Sequence, residues 1–344
     1  MKDAFPALIG SERLRSRLRD DICSGRFSHA YILEGAQGCG KHTLALQIAA
    51  ALSCEKKLDG TAPLPCGECP ACRKILSSNS PDVIYVSRGE NATFGVDVIR
   101  QMHSDVLIAP HEAETKIYVI EEAHLLTVPA QNAFLLTLEE PPAYVCFLLL
   151  CETTAPILET VRSRAPTLRL EAVPSERIGA YLRQTEPSAN ALFLQSPEEF
   201  AELLISADGS IGIAKRLLDP KERKPMLERR RVATEFVQLC ADHRNSSTVL
   251  RFFKGLEQKR NELIEQLNAV LLCLRDLILC KQSEQVPLCF FANREEAFNY
   301  SYRFSSPELL RIYGCVEDAI GRLSENANVR LTLTTLATHA GLLS

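Results

Sequence analysis

A glycine-rich segment in the first part of the chain has the residue types of a phosphate-binding loop. Residues 35–42 read GAQGCGKH and fit the pattern G-x-x-x-x-G-K-[ST] except at the last position, His42, which Thr43 follows. Glycines let backbone N–H groups surround phosphate oxygens, and the lysine reaches the β- and γ-phosphates. The segment predicts an ATP or ADP site at Gly35, Gly38, Gly40, Lys41, His42 and Thr43. The alternative is a loop with this composition by chance.

The residues that would hold Mg²⁺ at such a loop depart from the usual pattern. His42 stands where a Ser or Thr hydroxyl is expected, and imidazole is a poor ligand for an ion that prefers oxygen. Glu121 follows a predicted strand at a position that is usually Asp, and Glu122 is placed to polarise an attacking water. We therefore expect nucleotide binding with slow or absent hydrolysis. Alternatively, the two glutamates are solvated acids at a strand end.

Four cysteines have the spacing of a structural zinc site. The pattern is C-x11-C-x2-C-x2-C, formed by Cys54, Cys66, Cys69 and Cys72. Turns of the C-x2-C type bring two sulfurs within reach of one ion, and four thiolates leave no coordination position open for catalysis. We therefore predict a structural Zn²⁺ in a module of residues 54–72. The alternative is a set of packed free thiols, which is how we interpret the other nine of the 13 cysteines.

The elements that must position these residues alternate between strand and helix patterns up to about residue 170. Strand patterns cover 31–33, 83–86, 116–120, 146–150 and 167–170, and helical patterns cover 41–52, 96–106 and 129–138. Such alternation predicts a parallel α/β sheet with crossover helices.

From residue 174 onward helical patterns dominate. They cover 175–184, 197–207, 211–218, 230–243, 246–282, 293–301, 306–322 and 329–343, with a turn expected at 187–189 and a hinge in the charged segment 221–231. The basic residues of 215–231 alternate with acids, which favours a solvated helix face and linker over a nucleic-acid patch.

Composition restricts the class of protein. The 344 residues are 46% hydrophobic and 24% charged, as in a globular chain of two or three domains. The net charge of −4 means that nucleic acid would have to be bound through a local patch or a partner. No apolar run reaches the roughly 18 residues of a membrane helix, and no secretory signal pattern is found at the N-terminus. We expect a cytoplasmic protein with reduced cysteines.

Several further segments resemble the clamp-loader branch of the AAA+ ATPases, which includes the bacterial DNA polymerase III gamma/tau and delta-prime subunits. Residues 132–142, NAFLLTLEEPP, are similar to a helix and turn of that family and are the most specific match. Thr153 lies at the family's sensor 1 position, and 161–165 resembles its SRC motif, with Ala165 replacing the Cys and Arg164 retained. Gly212 stands where active subunits carry a sensor 2 arginine. The motif similarity extends to about residue 215.

The resemblance implies three domains: an AAA+ domain at 1–172 that includes the zinc module, a helical lid at 173–222 and an all-α collar at 223–344. It also implies that Arg164 acts in trans on the γ-phosphate of a neighbouring subunit, where a guanidinium stabilises the charge of phosphoryl transfer. A surface or salt-bridged arginine is the alternative. The departures at His42, Glu121 and Gly212 favour the delta-prime type over gamma/tau.

The function that the resemblance implies is a scaffold subunit of the DNA polymerase III clamp loader, part of a heteropentamer that places the sliding clamp on primed DNA. Its partners would be gamma/tau-like and delta-like subunits, bound through the collar, with the clamp and primer-template DNA reached through the complex. One alternative is an active gamma/tau-like ATPase, which the intact Lys41 and Glu122 favour. Another is a P-loop kinase, which would have no use for Arg164 or the all-α region.

Overall fold

The computed structural model describes residues 4–58, 62–89, 93–242, 246–256, 259–282, 288–291 and 293–342. It divides into two compact units. The N-terminal unit comprises Met1–Pro174 with Ser210–Gly212, and the C-terminal unit comprises Ser175–Gly209 with Ile213–Ser344.

The N-terminal unit is built on one parallel sheet. Its strands are β1 (Ala30–Glu34), β2 (Val83–Val86), β3 (Lys116–Ile120), β4 (Val145–Cys151) and β5 (Thr167–Arg169), in the order β2-β3-β4-β1-β5. Every residue of β3 and β4 is buried, as expected for central strands that are covered on both faces. Because all pairings are parallel, the carboxyl ends of the strands meet at one edge.

Helices cover both faces of this sheet. They are α1 (Glu12–Cys23), α2 (Lys41–Leu52), α3 (Pro70–Leu76), α4 (Val96–Val106), α5 (Val128–Glu139) and α6 (Glu159–Arg162), with a 3₁₀ turn at Ala123–Leu125. Alternate strand residues belong to two separate apolar clusters: Leu148 packs with α1, α2 and α3, whereas Phe147 packs with α4, α5 and α6. Since successive strand residues point to opposite faces, the unit has three layers.

The α/β prediction is confirmed, and each predicted strand agrees with an observed one to within a residue at either end. Three helices of this unit were not predicted: α1, α3 and the four-residue α6. In α1 a mostly charged sequence buries only Leu18 and Ile22, so its apolar periodicity is weak. In α3 the Cys-, Pro- and Gly-rich sequence indicates turns, yet Pro70 at the first helical position and the Cys69 side chain as N-cap start a helix.

After residue 174 the chain is helical, as predicted. The helices are α7 (Ser175–Thr185), α8 (Pro187–Gln195), α9 (Pro197–Ser206), α10 (Ile211–Leu217), α11 (Pro220–Asp242), α12 (Ser246–Gly255), α13 (Arg260–Gln282), α14 (Arg294–Ser301), α15 (Ser306–Ser324) and α16 (Val329–His339). The predicted ends at 243 and 343 lie outside the described residues. None of the helices that the structure describes is both long and apolar enough to cross a membrane.

Three local predictions in this region are wrong. The expected turn at 187–189 begins α8, because proline is well suited to a first helical position. The expected hinge at 221–231 is part of α11, which contains Pro225 within its second turn. The single helical pattern at 246–282 forms two helices, α12 and α13. The division into a lid and a collar stays a prediction, and α11 runs through its boundary at residue 222.

A buried carboxylate organises the C-terminal unit. The α13 helix packs against α11, α14 and α15, and its Asp276 is completely buried. Asp276 accepts hydrogen bonds from the backbone N–H groups of Cys289, Phe290 and Phe291 at 2.7 to 3.2 Å, and from the Arg275 guanidinium at 3.0 Å. The carboxylate therefore fixes the segment before α14 onto the central helix.

We predict that Asp276→Ala lowers the free energy of unfolding of the C-terminal unit by about 3 to 5 kcal/mol, because three N–H groups, two of them buried, lose their acceptor. Urea unfolding followed by circular dichroism measures this change. Asp318→Ala, which removes an exposed carboxylate of α15, is the control and should change stability by less than about 0.5 kcal/mol. Equal effects of the two substitutions on stability would contradict the structural role of Asp276.

Candidate functional site

The phosphate loop connects the carboxyl end of β1 to α2. Gly38 and Gly40 have φ values of 71° and 106°, which favour glycine, and Lys41 is the first residue of α2. The Lys41 ammonium donates to the carbonyl oxygens of Gly35 at 2.6 Å and Ala36 at 2.9 Å. The lysine thus closes the loop on itself, and Thr43 lies exposed in the first turn of the helix. Glycines, helix N-terminus and lysine together fit a phosphate group.

The loop is anchored through Glu34, which the sequence analysis did not select. Its carboxylate accepts from the N–H of Thr154 at 2.9 Å, from the Thr154 hydroxyl at 3.0 Å and from the Arg169 guanidinium at 2.7 Å. Burial opposes ionisation, but these hydrogen bonds prevail and hold the pKa of Glu34 below its ordinary value. The ionised carboxylate therefore joins the ends of β1, β4 and β5. The signal available in the sequence was an acidic residue at the end of an apolar strand.

The predicted sensor residue lies beside this anchor. The Thr153 hydroxyl accepts a hydrogen bond from the N–H of Ala155 at 3.3 Å, and its side chain is exposed. It is Thr154, the next residue, that is buried and bonded to Glu34. The segment after β4 is therefore fixed near the loop through Thr154, and Thr153 faces solvent.

The structure brings His42 and Glu121 together. The Nδ1 atom of His42 lies 3.5 Å from a carboxylate oxygen of Glu121, and both side chains are partly exposed. Glu121 can still offer Mg²⁺ a carboxylate oxygen, but a hydroxyl would be needed at position 42 to supply the second oxygen ligand. The imidazole does not fit that ion. The departures at His42 and Glu121 therefore both affect the position where Mg²⁺ would bind.

Glu122 is held by a residue that the sequence analysis missed. Its carboxylate accepts from Nε of Arg88 at 2.8 Å, and its backbone is left-handed with φ 48°. The hydrogen bond from Arg88 lowers the pKa of Glu122, so the carboxylate is a weak base in this arrangement. No sequence pattern marked Arg88.

The four predicted metal ligands form one buried cluster. The sulfur atoms of Cys54, Cys66, Cys69 and Cys72 all lie within 4.8 Å of one another, and those of Cys66 and Cys72 are 3.9 Å apart. Four thiolates that bind one Zn²⁺ at about 2.3 Å are separated by about 3.8 Å. The cluster therefore has nearly the dimensions of a tetrahedral site.

Backbone groups around the cluster are suited to thiolates. The N–H of Cys69 donates to the Cys66 sulfur and the N–H of Cys72 donates to the Cys69 sulfur, each at 3.4 Å. Burial raises the pKa of Cys54 and of Cys72, whereas at Cys66 backbone N–H groups outweigh burial and lower the pKa to about 7. Four buried sulfurs with this spacing fit a soft or borderline divalent ion.

Arg164 lies at the opposite edge of the sheet from the phosphate loop. It precedes β5, and its guanidinium donates to a carboxylate oxygen of Glu139 at 2.8 Å and to the carbonyl of Thr160 at 3.1 Å. Glu139 ends α5 shortly before β4 begins, so the pair marks the amino-terminal edge. The phosphate loop follows the carboxyl end of β1, so the pair and the loop lie toward opposite edges of the sheet.

Comparison with known proteins assigns the N-terminal unit. Residues 10–174 match the family described as DNA polymerase III, delta subunit. DNA polymerase III subunit tau of Bacillus subtilis is 35% identical over 218 residues, which are 62% of this chain and 37% of tau. DNA polymerase III subunit gamma of Buchnera aphidicola is 31% identical over 218 residues, which are 63% of this chain and 58% of gamma.

A crystal structure of a DNA polymerase III gamma subunit-related protein from Thermotoga maritima is 19% identical, covers 95% of this chain and 98% of its own, and superposes with a TM-score of 0.41. The chain spans less than two thirds of the tau and gamma chains that it matches. Residues 10–174 form an AAA+ domain of the DNA polymerase III delta-subunit type, homologous to the clamp-loader subunits tau and gamma.

Proposed function

We propose that this chain is a clamp-loader subunit of DNA polymerase III of the delta-prime type. In this proposal it works within the polymerase III holoenzyme beside gamma/tau-like and delta-like subunits, which it meets through its C-terminal helices. Its own phosphate loop contributes little or no hydrolysis, and Arg164 acts on the nucleotide of a neighbour. The sliding clamp and primer-template DNA are reached through the assembled complex.

The single observation that carries the proposal is the position of Arg164. Arg164 precedes β5, whereas the phosphate loop follows β1, so the guanidinium and a phosphate held by the loop lie toward opposite edges of the parallel sheet. Its side chain is 37% exposed, so it is accessible to a second subunit. A guanidinium placed in this way has a use in phosphoryl transfer only if the phosphate belongs to another chain.

The ion pair with Glu139 is compatible with this role. Both side chains are partly exposed, and exposed pairs contribute only about 0.2 to 1 kcal/mol. Glu139 therefore holds the guanidinium at little cost, and a γ-phosphate with its larger charge can replace the carboxylate. The sequence left two alternatives for Arg164, a salt-bridged arginine and an arginine finger. In this proposal they are two states of the same side chain.

The chain's own nucleotide site supports a scaffold role. Glu121 faces an imidazole, Glu122 is bound by Arg88, and Lys41 is bound by its own loop. We infer that ATP or ADP binds through the loop amides and Lys41 without efficient turnover. Zn²⁺ in the cysteine cluster would connect the end of α2 to α3 and has no open position for chemistry.

An active gamma/tau-like ATPase is the second candidate. The identity of 31% to 35% with tau and gamma favours it, and so does the intact Lys41. Homology to these subunits gives no support to a P-loop kinase. The ATPase rate of the isolated chain distinguishes the two clamp-loader types.

We predict that Arg164→Ala lowers the DNA-stimulated ATPase of a reconstituted clamp loader by at least about tenfold, because the neighbour's transition state loses a cationic ligand. Zinc content, folding and nucleotide affinity of this chain should not change. Arg162→Ala, which removes an exposed arginine two residues away, is the matched control and should leave the rate unchanged. A complex with Arg164→Ala that assembles and loads clamps at the wild-type rate would rule out the finger.

We predict that the isolated chain has no measurable steady-state ATPase, and that Lys41→Ala does little to the rate of the complex. His42→Thr should strengthen nucleotide binding severalfold in Mg²⁺ but not in EDTA, because it restores an oxygen ligand. Fluorescent-nucleotide titration measures both conditions. Hydrolysis by the isolated chain at a rate similar to that of the complex, abolished by Lys41→Ala, would move the assignment to gamma/tau.

We predict one Zn²⁺ per chain in protein purified under reducing conditions without chelator, measured by elemental analysis. Cys69→Ser should lower the zinc content by more than half and expose the segment around α3 to protease, because the metal and this local fold depend on each other. Cys315→Ser, outside the cluster, is the control. Metal-free wild-type protein with full protease resistance would contradict the zinc site.

A further inference from the structure

The phosphate loop contacts a segment that lies far away along the chain. Ser210–Gly212 belongs to the same compact unit as the loop. The Ser210 hydroxyl donates to the carbonyl oxygen of Gln37 at 2.9 Å, and the N–H of Gly212 donates to the carbonyl oxygen of Gly38 at 2.9 Å. Ser210 is buried. Two successive peptide groups of the loop are therefore held from one side.

This contact leaves no room for a side chain at position 212. A Cβ atom added to Gly212 would lie 2.8 Å from the Cα atom of Gly38 and 2.9 Å from its carbonyl oxygen. Both are backbone atoms and cannot turn aside as the end of a flexible side chain can. Any residue larger than glycine would have to displace the loop.

The same bonds set the orientation of the loop peptides. In a trans peptide the C=O and the following N–H point in opposite directions, so holding the carbonyl oxygens of Gln37 and Gly38 fixes the N–H groups of Gly38 and Cys39. In a phosphate loop, orienting these N–H groups is what a bound anion otherwise does. Here the Ser210 hydroxyl and the Gly212 N–H orient these loop N–H groups.

We propose that Ser210–Gly212 is a backbone latch that holds the phosphate loop in one conformation without nucleotide. Glycine is required at position 212 because the latch needs direct backbone contact. An arginine at this position, which would reach a phosphate in an active subunit, is incompatible with the latch. The conformation of the loop is therefore independent of nucleotide, which goes beyond the absence of hydrolysis proposed above.

Hydrogen exchange of the full-length chain without nucleotide tests the latch. In Gly212→Ala the amides of residues 36–41 should exchange at least about tenfold faster, and in Ser210→Ala severalfold faster. Gly95→Ala is the matched control, because a Cβ added there meets nothing within 4 Å. Its loop exchange should equal that of the wild type, and the sheet amides should stay protected in all three variants.

Gly212→Arg tests the alternative that position 212 lacks only a phosphate ligand. The latch predicts faster loop exchange and no gain in affinity for fluorescent ADP. Tighter ADP binding with wild-type loop exchange would overturn the proposal, and so would Gly212→Ala exchanging like Gly95→Ala. If Gly212→Ala loses protection of the sheet, Ser210→Ala decides, and unchanged loop exchange in that variant overturns the latch. The experiment uses this chain alone, so its failure is separate from a failure of the Arg164 proposal.

Discussion

Five strands that all run in one direction determine where chemistry can take place in the N-terminal unit. Each strand delivers the residues after it to the carboxyl edge, where β1 leads into the phosphate loop, β3 into Glu121 and β4 into Thr153. The connections that return to the start of β4 and β5 bring Glu139 and Arg164 to the opposite edge. Because β3 and β4 are buried along their whole length, the separation of the two edges is fixed by the core.

At the carboxyl edge, the groups that would act on a nucleotide have partners within the chain. Lys41 binds carbonyl oxygens of the loop, Glu122 binds Arg88, and His42 lies beside Glu121. These contacts engage the residues of the edge within the chain, as the part-buried hydrogen bonds of Glu34 to Thr154 also do. At the amino-terminal edge, Arg164 is held only by an exposed pair and a carbonyl. The Arg164 side chain is thus partly exposed and accessible to another molecule.

The sequence was sufficient for the sheet and for the clustering of the four cysteines, because strand periodicity and ligand spacing are local patterns. It was insufficient where partners are distant in the chain. Nothing local indicates that Arg88 lies against Glu122, that Glu34 accepts from Thr154 and Arg169, or that Gly212 packs on Gly38. Helices also escaped detection where their apolar stripe is narrow, as in α1, or where cysteines and prolines suggest turns, as in α3. The prediction of a turn at 187–189 was wrong because a proline that ends one helix can also be the first residue of the next.

The most direct test of the proposed role of Arg164 is the location of its guanidinium in a clamp loader reconstituted with this chain and a non-hydrolysable ATP analogue, determined by electron cryo-microscopy. We expect that Arg164 has left Glu139 and lies about 3 Å from the γ-phosphate held by the neighbouring subunit. An arginine that still pairs with Glu139 while the neighbour holds the analogue, or a neighbouring phosphate contacted by a different residue of this chain, would contradict it.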